Sequence, residues 1–121
     1  MSETRPWGRM ETLTTQEGWL VKRLIVQPGR RLSLQHHQHR SECWVVVRGQ
    51  GVATIDQRQW AMQPGDMFRV PAKIVHRIEN IDARQPLELV EVQLGAALSE
   101  ADIVRLEDDY GRVPTAVFSC R

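Results

Sequence analysis

The sequence predicts an all-β sandwich or barrel, and three observations carry that prediction. Short apolar runs rich in β-branched residues recur at close spacing. Glycine- and proline-containing turn signals separate them. No helical pattern alternates with them, which argues against parallel strands joined by crossover helices.

The elements follow in order. Trp19–Val26 reads as a strand stopped by Pro28-Gly29, and Arg31–His36 as a second. Glu42–Arg48 is a third, stopped by Gly49-Gln50-Gly51. Val52–Ile55 and Gln59–Met62 flank a turn at Asp56–Arg58. After a turn at Pro64-Gly65-Asp66, Met67–Val70 ends at Pro71. Val75–Glu79 and Leu87–Leu94 complete a barrel core spanning about 19–94. One short C-terminal helix is expected over about 99–110. Ser99 would be its N-cap with acidic Asp102 three residues on, Ile103 and Leu106 would share a face, and Gly111 would stop it. Residues 1–121 read as a single domain.

Bulk properties exclude several function classes. Sixteen basic and fifteen acidic residues leave a formal charge of +1, without the basic footprint of a nucleic-acid binder. No apolar run approaches the ~20 residues of a membrane span. The first residues, Met1 to Trp7, hold no apolar stretch of signal-peptide type, so a cytoplasmic location is expected. Cys43 and Cys120 are too few and too far apart for a disulfide framework, and both are read as free thiols.

Chemistry concentrates in two segments. Gln35 follows Gly29 after five residues, His37 comes two positions later, Glu42 follows after four more, and Gly49 after a further six. Side chains two apart on a strand share a face, so Gln35 and His37 point the same way, and Glu42 can return from the neighbouring strand. The second segment runs from Gly65 through Pro71 to His76 and Asn80. Gln35, His37, Glu42 and His76 are therefore the candidate ligands of one divalent metal ion. Imidazole, carboxylate and amide oxygen suit zinc, manganese, iron, cobalt or nickel, and zinc is the first expectation.

These residues resemble the two motifs of the cupin superfamily, Gly-x5-His-x-His-x3–4-Glu-x6-Gly and Gly-x5-Pro-x-Gly-x2-His-x3-Asn. Two departures stand out: Gln35 replaces the first His, and Lys73 replaces the Gly after Pro71. The Gln narrows the likeness to the C-terminal phosphomannose isomerase domain of the type II bifunctional enzymes, which pair it with a mannose-1-phosphate guanylyltransferase. Similar pieces run from Arg5-Pro-Trp-Gly8 through Arg40-x-Glu42-x-Trp44 and His76–Asn80 to Glu107–Arg112. The resemblance implies a jelly-roll barrel, a divalent metal, a sugar-phosphate ligand, a homodimer, and interconversion of mannose 6-phosphate and fructose 6-phosphate. Family members usually read Gln-Met-His-His-His-Arg where this chain has Gln38 as the middle residue of His37-Gln38-His39, and Cys43 stands where a His usually follows the Glu. No glycine-rich nucleotide-binding segment precedes the barrel, so nucleotide transfer is not expected.

Such an isomerisation passes through an enediolate. It needs a metal to hold charge, a base to move a proton, and cations to anchor phosphate. His39, Glu91 and Glu79 are the candidate bases, with His39 and Glu91 preferred. Arg40, Arg105, Arg112 and Lys22 are the candidate anchors. Three functions follow as expectations: a mannose-6-phosphate isomerase, a metal- and sugar-binding cupin module without turnover, or a different cupin enzyme such as an iron dioxygenase or an epimerase.

Overall fold

A computed structural model of the chain describes residues 2–113. Among them are eleven strands and no helix. In chain order they are β1 (Ser2–Arg5), β2 (Gly8–Gln16), β3 (Trp19–Val26), β4 (Leu34–His36), β5 (Ser41–Arg48), β6 (Gly51–Ile55), β7 (Arg58–Met62), β8 (Met67–Val70), β9 (His76–Asn80), β10 (Leu87–Leu94) and β11 (Val104–Glu107). Cys120 lies outside the described residues. Cys43 is a partly buried free thiol.

The strands form two sheets that face each other, in the orders β1-β2-β3-β10-β5-β8 and β11-β4-β9-β6-β7. Their pairings are antiparallel. The turns obey local chemistry. Asp56 and Gln57 both take positive φ (51° and 68°), the two-residue turn whose twist suits the β6–β7 hairpin. Gly49 has φ 89°, and a Cβ there would stand 2.4 Å from the Pro86 carbonyl oxygen, so only glycine fits.

Alternation along the strands sends every second side chain inward, and register stacks these into layers. Leu87 lies opposite Val26, and Leu89 opposite both Leu24 and Val46. One step along, Glu91 lies opposite Lys22 and Trp44; one further, Gln93 lies opposite Glu42. The interior is thus apolar at one end and polar at the other. Trp44, Val46, Ala53, Met62, Val70, Ile78 and Leu89 pack into one buried cluster.

Two expectations change. Residues 99–110 do not form a helix. Ser99 Oγ accepts instead from the Ala101 amide (3.1 Å), and the Asp102 carboxylate leaves its own segment to accept from the amides of Gln38 and His39 (2.8 and 2.9 Å). Val104 and Arg105 then pair with His36 and Gln35 at the open edge of β4. A vacant sheet edge outweighs a weak local cap, because most helical stability comes from packing an amphipathic face. In addition, β1 and β2 extend the first sheet ahead of Trp19. Their sequence is polar and only partly buried, so it lacks the apolar run that marks the other strands.

Candidate metal centre and its cavity

β4 and the turn after it carry Gln35 and His37, β5 carries Glu42 as its second residue in the facing sheet, and β9 opens on His76 directly opposite Gln35. All four are buried. Potential ligand atoms of His37, Glu42 and His76 lie within 4.8 Å of one another. Each imidazole is oriented from behind. His37 Nδ1 donates to the Asp102 carbonyl oxygen (2.7 Å) and His76 Nδ1 to that of Ile74 (2.9 Å). Both Nε2 lone pairs therefore face the cluster, the outer-shell arrangement that orients histidine ligands. Gln35 Oε1 is steadied by the Ser33 hydroxyl (3.2 Å).

The donor set fits a cation. His76 Nε2 is buried without a hydrogen-bond partner, a costly state for an atom with a lone pair unless an electrophile meets it. A positive group already touches the other two: Arg40 donates from Nε to Glu42 Oε2 (3.0 Å) and from Nη2 to His37 Nε2 (3.2 Å). Protonation agrees. Burial, with Arg40 and His76 adding to it, holds His37 at about 4, outweighing the pull of Glu42. Burial likewise lowers His76. For Glu42, burial pushes upward but is outweighed by His76, His37, Arg40 and the Trp44 indole N–H (3.0 Å), so its carboxyl is held below the usual range. Neutral imidazoles beside a carboxylate are the ligand-competent forms.

The cluster opens into a cavity of about 260 Å³ inside the barrel. The four candidate anchors line it, and so does Arg5. Their partners differ. Arg40 is committed to His37, Glu42 and the Ser99 carbonyl oxygen (3.2 Å). Arg112 forks onto Asp108 (2.7 and 3.0 Å), and Lys22 Nζ meets Glu100 (3.0 Å). Arg105 Nε is buried and unpartnered, and burial first, then Arg112, lowers that guanidinium's pKa.

The candidate bases separate sharply. His39 sits on the exposed turn, away from the cavity lining, with its amide on Asp102. A strand running through residue 39 would have turned it inward, but β4 ends at His36. Glu79 is half-exposed beside Arg31, also away from the lining. Glu91 alone enters the cavity. Burial, reinforced by the charge of Glu42, pushes it up to about 8, and Gln93 donates to its Oε1 (2.6 Å). It is protonated at neutral pH.

Arg5, Gln93, Glu100 and Asp102 complete the site. Gln93 shares strand parity with Glu91 and Leu89, which sets all three on one face of β10. Arg5 belongs to the unmarked β1, and Asp102 reads locally as a helix cap. Trp7 and Trp44 are both core and cavity wall. Asn80, the last residue of the second motif, serves the fold: its Nδ2 donates to the carbonyls of Val26 and Gln85, and its Oδ1 accepts from the Asp82 amide.

Comparison with known proteins decides the family. A family profile described as mannose-6-phosphate isomerase C-terminal matches residues 1–108. The chain belongs to that family. Its sequence is 44% identical over 108 residues to the alginate biosynthesis protein AlgA of Pseudomonas aeruginosa, covering 89% of this chain and 22% of that protein. It is 42% identical over 109 residues to the mannose-1-phosphate guanylyltransferase ManC of Salmonella typhimurium, covering 90% of this chain and 22% of that protein. Among solved structures, CapF aligns with a TM-score of 0.76 at 18% identity, covering 88% of this chain and 34% of that one. The Schizosaccharomyces pombe Cnp3 cupin domain aligns with a TM-score of 0.68 at 16% identity, covering 72% and 64%. These likenesses establish the cupin barrel.

The family corrects the principal functional expectation, that this chain is itself a metal-dependent mannose-6-phosphate isomerase. The chain spans less than a quarter of the length of the curated relatives it matches. The activities in their names belong to those longer proteins, of which this isomerase C-terminal domain is one part. A metal- and sugar-binding cupin fits better. Among the described residues, no helix is long and apolar enough to cross a membrane.

Proposed function

We propose that this isomerase C-terminal domain is a binding module that holds one divalent metal ion and a sugar phosphate beside it, without turnover on its own. The observation that carries the reading is the convergence of His37, Glu42 and His76 within 4.8 Å at one end of a cavity lined by cations. These three residues, joined by Gln35, would hold the metal. Zinc is the first choice by ligand type, with manganese, cobalt, nickel or iron as alternatives. When bound, the ion supplies a positive centre that attracts a ligand oxygen. The chain's own residues supply the rest: Lys22, Arg5 and Arg105 offer charge to a phosphate, and Gln93 and protonated Glu91 offer neutral hydrogen bonds to hydroxyls.

The test combines metal analysis, calorimetry with mannose 6-phosphate, and an assay for fructose 6-phosphate. Near-stoichiometric metal and saturable sugar-phosphate binding without conversion are expected. His37→Ala and His76→Ala should each weaken metal binding by more than about 100-fold, beyond what outer-shell changes cost, while keeping a β-rich circular dichroism spectrum. Full metal retention in both variants would refute the site. Sustained conversion by the metal-loaded chain would refute binding without turnover.

A further inference from the structure

Among the described residues, three acids line the cavity: Glu42 in the metal cluster, buried Glu91, and Glu100. Glu100 differs in that its side chain is 56% exposed. It spans two cations, with Oε1 accepting from Lys22 Nζ at 3.0 Å and Oε2 lying 3.6 Å from Arg5 Nη2. Arg5 has a second partner in Glu3 (2.5 Å). Lys22 is only 6% exposed, and Glu100 is its one ion-pair partner among the described residues. A buried ammonium thus depends on a carboxylate that reaches in from solvent. On the same lining, Arg105 Nε is buried without a hydrogen-bond partner, and the charge of Asp108 is the attraction that reaches its guanidinium.

The segment bearing Glu100 is fastened independently of its side chain. The Ser99 carbonyl accepts from Arg40, and Asp102 holds His37 through its carbonyl and the amides of Gln38 and His39 through its carboxylate. The Glu100 side chain can therefore swing away without unfastening its backbone. A phosphate monoester offers more charge and more acceptor oxygens than a carboxylate, so Lys22 and Arg105 together suit it better than they suit Glu100.

The geometry points to Glu100 as an internal placeholder, whose carboxylate occupies the place that the phosphate of a bound phosphate monoester takes. This rests on the sugar-phosphate reading above and adds a determinant of charge specificity to it. Binding at the cavity is an exchange of one anion for another. A neutral sugar has nothing to displace Glu100 with, whereas inorganic phosphate competes directly.

The test titrates inorganic phosphate and mannose 6-phosphate into the full metal-loaded chain by calorimetry, in wild type, Glu100→Gln and Lys22→Gln. Glu100→Gln should bind both anions more tightly by about fivefold, the equivalent of one partly exposed ion pair, with metal content unchanged. Lys22→Gln should weaken both. In wild type, phosphate should shift the Lys22 Nζ resonance as its partner changes. Wild-type binding of mannose 6-phosphate with equal or weaker binding by Glu100→Gln overturns the placeholder and leaves the sugar-phosphate reading standing. Failure of every variant to bind mannose 6-phosphate overturns both.

Discussion

The two ends of the barrel interior are built from the same strands yet behave as different materials. β3 carries Lys22 at one end and Leu24 and Val26 at the other; β5 carries Glu42, then Trp44 and Val46; β10 carries Gln93 and Glu91, then Leu89 and Leu87. The apolar end is a packed core with nothing for water to do. The polar end buries Lys22, His37, Glu42, His76 and Glu91 around a cavity. Burying such groups costs free energy unless they are paired, so this end is stabilised less than it would be by leucines. The difference teaches that one end keeps the barrel folded so that the other can hold buried charges around a cavity.

The sharpest way to break that division is to damage the apolar end. Leu89 is fully buried, and Leu89→Ala should cost about 2–5 kcal/mol, read from urea unfolding, because the tightly packed side chains around it cannot collapse fully into the space left. Metal affinity of the molecules that remain folded should be little changed. A large loss of metal affinity at unchanged stability would show that the two ends are not separate.

A smaller effect should appear at the polar end as pH changes. Glu91 is raised in the fold to about 8 from a usual 4.5. Its contribution to stability is full below the unfolded value and is lost as pH rises through the folded one. His37 and His76, held low, act the other way: their contribution is full above about 6.5 and is lost as pH falls. Between pH 6.5 and 8 the Glu91 effect stands clear of both. Metal-free wild type should lose up to about 2 kcal/mol across that interval, whereas Glu91→Gln, which keeps an acceptor for Gln93, should stay flat. Parallel pH profiles would show that Glu91 is not held protonated.

The smallest effect concerns the loop that delivers His76. Lys73 adopts φ 71°, a left-handed conformation at the position where the cupin motif has glycine, and its amide donates to the His37 carbonyl oxygen (2.6 Å). Lys73→Gly should relieve that strain and raise stability by up to about 1 kcal/mol, visible as a higher melting temperature. A lower melting temperature would show that the lysine side chain, not the backbone, matters there.

Much of the fold was legible because inward and outward residues alternate with a period of two and turns carry their own chemistry. Seven of the strands lie within a residue or two of where their apolar runs place them, from Trp19–Val26 to Leu87–Leu94. Gln35, His37, Glu42 and His76 were legible for the same reason: strand parity and motif spacing mark them, although Glu42 reaches the cluster from the facing sheet. Parity alone also put Glu91 and Gln93 with Leu89. β1 and β2 were silent because polar strands at a sheet margin have no apolar signature.

What the sequence determined by itself was the barrel and the identity of the candidate metal-ligating side chains, since both follow from local periodicity and short spacing. What only the tertiary structure decided was which charges meet. Ser99 and Asp102 look like a helix start until β4 offers an open edge. His39 looks inward until its strand stops at His36. Lys22 and Glu100 are 78 positions apart and share no local pattern, yet they close on each other at 3.0 Å. Electrostatic partnership depends on distance through space and on burial, and neither is written in the order of the chain.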